Sequence, residues 1–343
     1  MSTPTRPGPR RPATQADVAR EVGVSRTLVS FAFRNAPGVS EETRRAILEA
    51  AKRLGYRHNA VAAQLARKRA SSIGLHLLDL HNEVYADIFV GVREALEGSG
   101  ARIILSVAEG DAAAESGDAE LGPLLEARVG VVIAATMTGP DAAVREASRL
   151  VPIVNVARRV EGVDSVYSDD GAGARAAVEH LLALGHTRIV HVSGPWFEGR
   201  HARRRAYEDL MHDAGLPPRV VVAPGYSLEA GQEAALRFLA AADRPTAVFA
   251  HNDQLALGVR EAASALGLVV PQDLSLVGYD DSRIAGLTGI DLTSVDLHSH
   301  ELGRDAGAAA LERLRFPDAP PVDRCTQPRL VLRASTAPPA PGA

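Results

Sequence analysis

Asn82 and Tyr85, Asn155, Asn252 with Asp253, and Asp280 with Asp281 fall at or just after short apolar runs: SIGLHLLDL, VPIVNVA, TAVFAH and LSLVGY. Amides, a phenol and carboxylates in such places have a limited chemistry. Paired carboxylates serve general acid–base work or hold a hard cation. A ring of amides and carboxylates can instead hydrogen-bond a polyol. No histidine joins the carboxylates at metal-ligand spacing, and no serine or cysteine stands in a nucleophile elbow. Neither GxGxxG after a strand nor GxxxxGK[ST] is present, which argues against a nucleotide-dependent enzyme. Polyol binding is the better use for this ring, although Asp253 before QLALG also reads as a plain helix cap.

A second group lies in GVSRTLVSFAFRN, residues 23–35. Arg26 can pair with guanine edges or phosphate, and Thr27 can reach a base edge. Ser25 and Ser30 share that side, and Phe31 is an aromatic suited to a thymine methyl or a sugar edge. Three helices must position them. Thr14 and Asp17 form a capping box for TQADVAREVG, with Val18, Ala19 and Val22 as its apolar stripe. Gly23 makes the turn, and Ser25 caps the next helix, which offers Leu28, Val29, Ala32 and Phe33 to a core. Ser40 caps EETRRAILEAAKRLG, where Glu41 and Glu42 open the helix, Lys52 and Arg53 close it, and Gly55 ends it. Two short helices around a glycine turn, braced by a third, have helix-turn-helix geometry. The rival is a three-helix bundle that binds no DNA. Charge favours the first reading. Residues 1–70 carry 14 basic and 5 acidic side chains, while the remainder carry 24 and 37, so a head of +9 sits on a body of −13.

The polar ring needs a different scaffold. From Ser71 onward, apolar runs alternate with amphipathic ones, and the pattern restarts at DDGAGARAAVEHLLALG. That is the signature of two successive α/β lobes with helices on both faces of parallel sheets. Two open lobes leave a cleft at the carboxyl ends of their strands. With 343 residues and 46% hydrophobic content the chain can build proper cores. Its single cysteine, Cys325, allows no intramolecular disulfide and fits a reducing compartment. The basic N-terminal residues precede no apolar stretch, and no run is long enough to span a bilayer. A cytoplasmic, nucleoid-associated protein is expected, with no membrane partner.

ADVAREVGVSRTLVS followed by APGVSEETRRAILEAAKRLGYRHNAVAAQLARKR resembles the head of the lactose-repressor family of bacterial transcription regulators. EHLLALGHTRIVHVSGP, RPTAVFAHNDQLALG, VPQDLSLVGYDD and RLVLRAST resemble that family's effector domain, which is similar to periplasmic sugar-binding proteins. The resemblance implies an N-terminal all-α helix-turn-helix head on an α/β core of two doubly wound lobes. It implies a homodimeric regulator, expected to be a repressor, on a palindromic operator of double-stranded DNA, controlled by a small carbohydrate-like effector. No enzyme activity, cofactor or metal is implied. The rivals are a sugar-processing enzyme or a solute-binding module fused to a DNA-binding head.

Position by position, the resemblance assigns DNA contacts to Thr14, Ser25, Arg26, Thr27, Ser30, Phe31, Arg34, Ser40 and Tyr56. Asn59, Val61, Ala62 and Leu65 fall in a hinge that becomes helical on DNA and pushes Leu65 between base pairs. The bland alternative is an ordinary Ala-rich helix. Leu28, Phe31, Arg34 and His58 depart from the usual pattern and put the operator sequence in question, not the docking. For the effector the resemblance assigns Arg203, Asn252 and Asp280, with Tyr85, Tyr167 and Tyr226 as cleft aromatics, beside Asn155 from the strand-end pattern. Arg203 also reads as one more solvated arginine of RRR. Leu297 stands where a glutamine is frequent. Trp196 is read either as a pocket aromatic or as a rim contact, and the scattered histidines, His251 among them, as structural or surface groups. The expected layout is a disordered arm at 1–12, the head at 13–58, a hinge and linker at 59–70, the core at 71–336 and a disordered tail at 337–343. Lobe 1 takes about 71–167 and 298–326, and lobe 2 about 168–297 and 327–336, the chain crossing near 167, 297 and 326. The tail lacks heptads, so a tetramerising coiled coil is not expected.

Overall fold

The computed structural model describes residues 11, 13–33, 36–56, 72–108, 117–195 and 201–340. It divides into two compact units, Met1–Arg69 and Ala70–Ala343. The expected contacts Arg34, Asn59, Val61, Ala62 and Leu65, the arm through residue 10, and Trp196 lie outside the described residues. Among the described residues no helix is long and apolar enough to cross a membrane.

The first unit holds α1 (Gln15–Val22), α2 (Arg26–Phe33) and α3 (Glu41–Leu54). Local chemistry sets each boundary. The Asp17 amide donates to Thr14 Oγ1 at 3.3 Å while Asp17 Oδ2 accepts from the Thr14 amide at 2.8 Å, closing the capping box. Gly23 and Gly55 end α1 and α3 in the left-handed region, at φ 74° and 67°, where a side chain would be strained. Val18, Val29, Ile47 and Ala50 are wholly buried or nearly so and knit the three helices together. Arg44 reaches from α3 to donate to the carbonyls of Ala32 at 3.0 Å and Ala36 at 3.2 Å, fixing the end of α2. Leu28, expected in the core, is only half-buried, because it lies in the first turn of α2, away from the packed cluster.

The second unit is two sheets. The first contains β1 (Ser72–Leu77), β2 (Arg102–Val107), β3 (Val131–Ala135), β4 (Ile153–Val156), β5 (Asp164–Ser168) and β11 (Asp323–Thr326), in the order β2-β1-β3-β4-β5-β11 and parallel throughout. The second contains β6 (Ile189–Ser193), β7 (Arg219–Val222), β8 (Ala247–Ala250), β9 (Ser275–Tyr279), β10 (Thr293–Asp296) and β12 (Arg329–Val331), in the order β7-β6-β8-β9-β10-β12. Its last strand alone runs antiparallel. Each is a doubly wound order that reverses beside its first strand, and ligands bind at such switch points. The inner strands β1, β3, β4, β8 and β9 are buried along their whole length, as parallel strands covered on both faces must be.

Helices α4 (Glu83–Ala95), α5 (Gly117–Glu126), α6 (Asp141–Leu150) and α11 (Ser299–Arg315) pack in the first lobe, and α7 (Asp170–Ala183), α8 (His201–Asp213), α9 (Leu228–Leu239) and α10 (Asp253–Ala265) in the second. α4 and α11 cross with their backbones almost touching. A Cβ on Gly91 would lie 2.1 Å from the His300 carbonyl oxygen, and one on Gly303 2.2 Å from that of Ile88. α9 and α10 repeat the arrangement at Gly231 and Gly258.

Strands β5, β10, β11 and β12 have no counterpart in the alternation read from the sequence. They are three to five residues long, and DSVYS, TSVD and DRCT mix polar with apolar types, so no run announces them. The chain leaves the first sheet after Ser168, returns to the first lobe at α11 and β11, and ends on β12 of the second. The tail expected from residue 337 is held at its start. The Ala337 amide donates to Ser275 Oγ at 3.0 Å, and its carbonyl lies 2.9 Å from His186 Nε2. The segment therefore runs bonded along β9, with residues 341–343 outside the described ones.

Candidate functional site

In the head unit, the first turn of α2 is the exposed one. Ser25, Arg26 and Thr27 are exposed, and Ser30 and Phe31 half-buried, while Val29 and Ala32 turn inward. Ser25 Oγ accepts the Leu28 amide at 3.1 Å, and Ser40 Oγ accepts that of Thr43 at 3.2 Å. The hydroxyls of Thr14, Ser25 and Ser40 thus cap three helix N-termini, the ends that favour anions. Tyr56 packs its ring edge-on against Phe33, centroids 5.5 Å apart, and burial pushes its hydroxyl pKa up. It serves the core at least as much as any surface.

In the second unit a cleft opens where the switch points of the two sheets face each other. Tyr85, Arg203, Asn252 and Asp280, all expected there, line it together. Arg203 is the pivot. Its NH2 nitrogen donates to Asp170 Oδ1 at 3.1 Å, and NH1 lies 3.7 Å from Asp280 Oδ1 and 2.6 Å from the His251 carbonyl oxygen. Its guanidinium carbon sits 3.6 Å over the Tyr279 ring, a stacked cation–π contact. Burial alone would pull the Arg203 pKa down, but the Asp170 carboxylate, then Tyr279 and Asp280, outweigh it and hold it above its ordinary value.

Asn82 follows β1 of the first lobe and Asn252 follows β8 of the second. Each caps a helix at the end of a central strand: Asn82 Oδ1 accepts the Val84 amide at 3.1 Å, and Asn252 Oδ1 that of Leu255 at 2.9 Å. Asn252, not Asp253, is therefore the cap of α10. Asp253 points behind the cleft, where its carboxylate accepts Ser294 Oγ at 2.6 Å and the Ser282 amide at 2.7 Å. Burial, with Asp280 as a like charge, raises its pKa to about 7. Asp281 pairs with Arg333 at 2.6 Å and faces away.

Three of the cleft's non-glycine residues hold left-handed backbones: Thr136 at φ 69°, Ala157 at 94° and Asp280 at 103°. Such strain persists only where the surroundings over-determine it. Here Arg158 does so for the first lobe, donating to Asp141 and to the carbonyls of Met137 and Gly139 at 3.0, 2.7 and 2.6 Å.

Three expected residues are not part of the cleft wall. Asn155 is fully buried, and its amide donates to the Arg158 carbonyl at 2.7 Å, shaping the turn after β4 from below. Tyr167 neighbours Ser168, which does line the cleft. Successive strand residues face opposite sides, so the tyrosine meets Asp323 instead, and burial followed by that hydrogen bond pushes its hydroxyl up to about 12. Tyr226 donates its hydroxyl to the Pro195 carbonyl at 2.7 Å and sits against His251, ring centroids 5.2 Å apart, one layer behind the wall.

Asp170, Ser168, Thr136 and His251 line the cleft without having been singled out for it. Asp170 was signalled weakly, as the second aspartate of a pair opening a helix. His251 was signalled by its place directly before Asn252. Leu297, where the resembled family often has glutamine, adds apolar wall. Among the described residues no group of three or more His, Cys, Asp or Glu is placed to hold a metal.

Two compact units, a helix-turn-helix and a two-lobed α/β core with a cleft, define a one-component regulator. Residues 14–59 match the bacterial regulatory proteins of the lacI family, and residues 178–336 match the periplasmic binding protein-like domain. Over 298 residues, 84% of this chain and 88% of the relative, the sequence is 34% identical to catabolite control protein A of Priestia megaterium. The lac repressor dimer bound to operator and the anti-inducer ONPF superposes with a TM-score of 0.81 at 27% identity, covering 95% of this chain and 100% of that one. The transcriptional regulator CelR–cellobiose complex gives 0.67 at 26% identity, covering 94% and 99%. The chain belongs to the LacI family, and it is a DNA-binding transcriptional regulator with an effector-binding domain.

Proposed function

We propose that this regulator is a repressor. As a homodimer it binds a roughly palindromic operator, and it releases the operator when a small carbohydrate occupies the cleft. The observation that carries the effector half is the Arg203–Asp280 pair, 3.7 Å apart on the second lobe, with Asn82 of the first lobe 3.2 Å from the same carboxylate. A ligand seated there touches both lobes and so acts on the angle between them. A repressor that binds as a dimer is supported by the lac repressor dimer on its operator, and a sugar by the cellobiose bound to CelR, both said of those proteins.

For the DNA half, the assignment is Ser25, Arg26, Thr27, Ser30 and Phe31 to the major groove, and Leu65 to a minor-groove wedge. The protein acts in the cytoplasm, at the nucleoid. Binding free energies require reciprocity: a sugar that weakens operator binding must itself bind less well to the operator complex.

The test is a mobility shift with the full-length protein and inverted repeats from the DNA upstream of its own gene, at stated salt, with and without neutral sugars. Repression with release predicts retarded DNA that a sugar frees. A monomer that ignores every inverted repeat would sink the proposal. Leu65→Ala should weaken specific binding more than nonspecific binding, and an equal loss in both would remove the wedge.

A further inference from the structure

The turn that brings Asp280 to the cleft is held in an unusual shape. Asp280 and Asp281 both have left-handed backbones, at φ 103° and 49°. Neither is glycine, so the surroundings must over-determine the turn. Its three amides show how. That of Asp280 donates to the Val295 carbonyl at 2.9 Å, that of Asp281 to Ser294 Oγ at 3.1 Å, and that of Ser282 to Asp253 Oδ2 at 2.7 Å. Ser294 Oγ is itself oriented by donating to Asp253 Oδ1 at 2.6 Å. One carboxylate thus governs two of the three amides, one directly and one through a hydroxyl that it aims.

The ordinary task for an aspartate at this place, capping α10, is already done by Asn252, whose Oδ1 takes the Leu255 amide. Asp253, Ser282 and Ser294 are all buried, so little water reaches them to replace the carboxylate. β9 makes room for it: a Cβ on Gly278 would lie 2.2 Å from Asp253 Oδ1, and an alanine there must push the carboxylate out. Keeping an ionisable group here is also unfavourable, since burial, and then the like charge of Asp280, raise its pKa to about 7. What a carboxylate offers in return is two acceptor oxygens on one rigid plane, able to meet donors from two chain segments at once.

We infer that Asp253 is a positioning residue of the effector site: from behind the cleft wall its two oxygens staple the start of α10 to the turn after β9 and to β10, and so fix where Asp280 meets Arg203 and Asn82. The inference rests on the cleft being the effector site, and it does not depend on which effector is bound.

The test is amide hydrogen exchange on the full-length protein, read at Asp281 and Ser282 with Leu255 of α10 as the control, together with crystal structures of the variants. Asp253→Ala should speed exchange at Asp281 and Ser282 at least about tenfold, leave Leu255 unchanged, and widen the 3.7 Å approach of Asp280 to Arg203. Asp253→Asn, which keeps both bonds, should restore all of these readings. Gly278→Ala should mimic Asp253→Ala, and the two together should add nothing to either alone. Ser294→Ala should speed Asp281 more than Ser282, and it decides the matter if Asp253→Ala does not fold. Cellobiose is then titrated by thermal shift. Where wild type binds it, affinity should fall at least about tenfold in Asp253→Ala and recover in Asp253→Asn. Unchanged exchange in Asp253→Ala with Asp280 still in place would overturn the inference. So would a failure of Asp253→Asn to restore it, or an equal acceleration at Leu255, which would mark a general loosening of α10. Cellobiose held as tightly by Asp253→Ala as by wild type would overturn it too. If the exchange results hold but wild type ignores cellobiose, the positioning stands and a cellobiose-like effector is what fails.

Discussion

Asn82 joins the two lobes: its Nδ2–H donates to Asp280 Oδ2 at 3.2 Å while its Oδ1 caps α4. Two more bonds cross at the same place, the Ile284 amide to Glu83 Oε2 at 3.2 Å and Gln254 Nε2 to the His81 carbonyl at 3.4 Å. The start of α4 is thereby docked on the turn that carries Asp280. Asn82→Asp keeps a capping oxygen but sets carboxylate against carboxylate. Amide exchange at Ile284, in the other lobe, should accelerate about tenfold, and Asn82→Ser, which only removes the donor, should fall between. Unchanged exchange in both would mean that this contact does not hold the cleft shut.

Asp253 gives the core a pH signature. Its folded pKa of about 7 lies above the ordinary 3.8, so between those values the folded state keeps a proton that the unfolded chain has lost. Stability from this group therefore falls as pH rises from about 4 to 7 and is flat above, a drop on the order of a few kcal/mol. Asn at this position keeps both bonds, accepting from the Ser282 amide and donating to Ser294 Oγ. Relative to wild type, Asp253→Asn should gain stability steadily from pH 4 to 7 in chemical denaturation and gain no more beyond. A difference independent of pH would contradict the assignment.

The glycines between α4 and α11 tie packing to function. A methyl on Gly91 or Gly303 meets backbone oxygen within 2.2 Å, which no rotamer change relieves. Gly303→Ala should destabilise the core by roughly 3 kcal/mol through forced separation of the helices. Because α4 also carries Tyr85 and begins at Asn82, the exchange rate at Ile284 should rise in the same variant. Stability lost without that second change would show that α4 moves as a rigid piece.

Two arginines of the head should behave oppositely. Arg44 is mostly buried and holds two carbonyls at the end of α2, so Arg44→Met should lower the melting temperature of the head, with a loss of about 1–3 kcal/mol. Arg26 is exposed, so Arg26→Ala should leave melting unchanged and weaken binding to the preferred operator by about 1–3 kcal/mol in a mobility shift. Equal melting losses in both would remove the distinction.

What the sequence disclosed, and what it hid, follows the range of the interactions involved. The caps at Thr14, Ser25 and Ser40 were legible because donor and acceptor lie three residues apart. Arg203, Asn252 and Asp280 were legible because each stands in a recognisable motif, and the structure brings them together. Tyr167 faces away from the cleft because it alternates with Ser168 along β5, a strand too short and too mixed in polarity to show in the sequence. Asn155, whose carbonyl partner Arg158 is only three residues on, turns beneath the cleft because β4 is buried along its length, while Tyr226 is met by the Pro195 carbonyl 31 residues away, a pairing that only the folded backbone reveals. Asp170 escaped for the same reason: its partner is 33 residues distant on another helix.

The threading of the chain between sheets bears on synthesis. The first lobe has five of its six strands by residue 168, yet α11, which covers β3, β4 and β5 and fills the glycine face of α4, ends at residue 315, and β11 ends at 326. A nascent chain must therefore carry an open apolar sheet until nearly all of the second lobe has left the ribosome. Maturation of the two halves is locked together in time, and a message truncated anywhere before the codon for residue 315 yields no finished lobe at all, only material for chaperones and proteases.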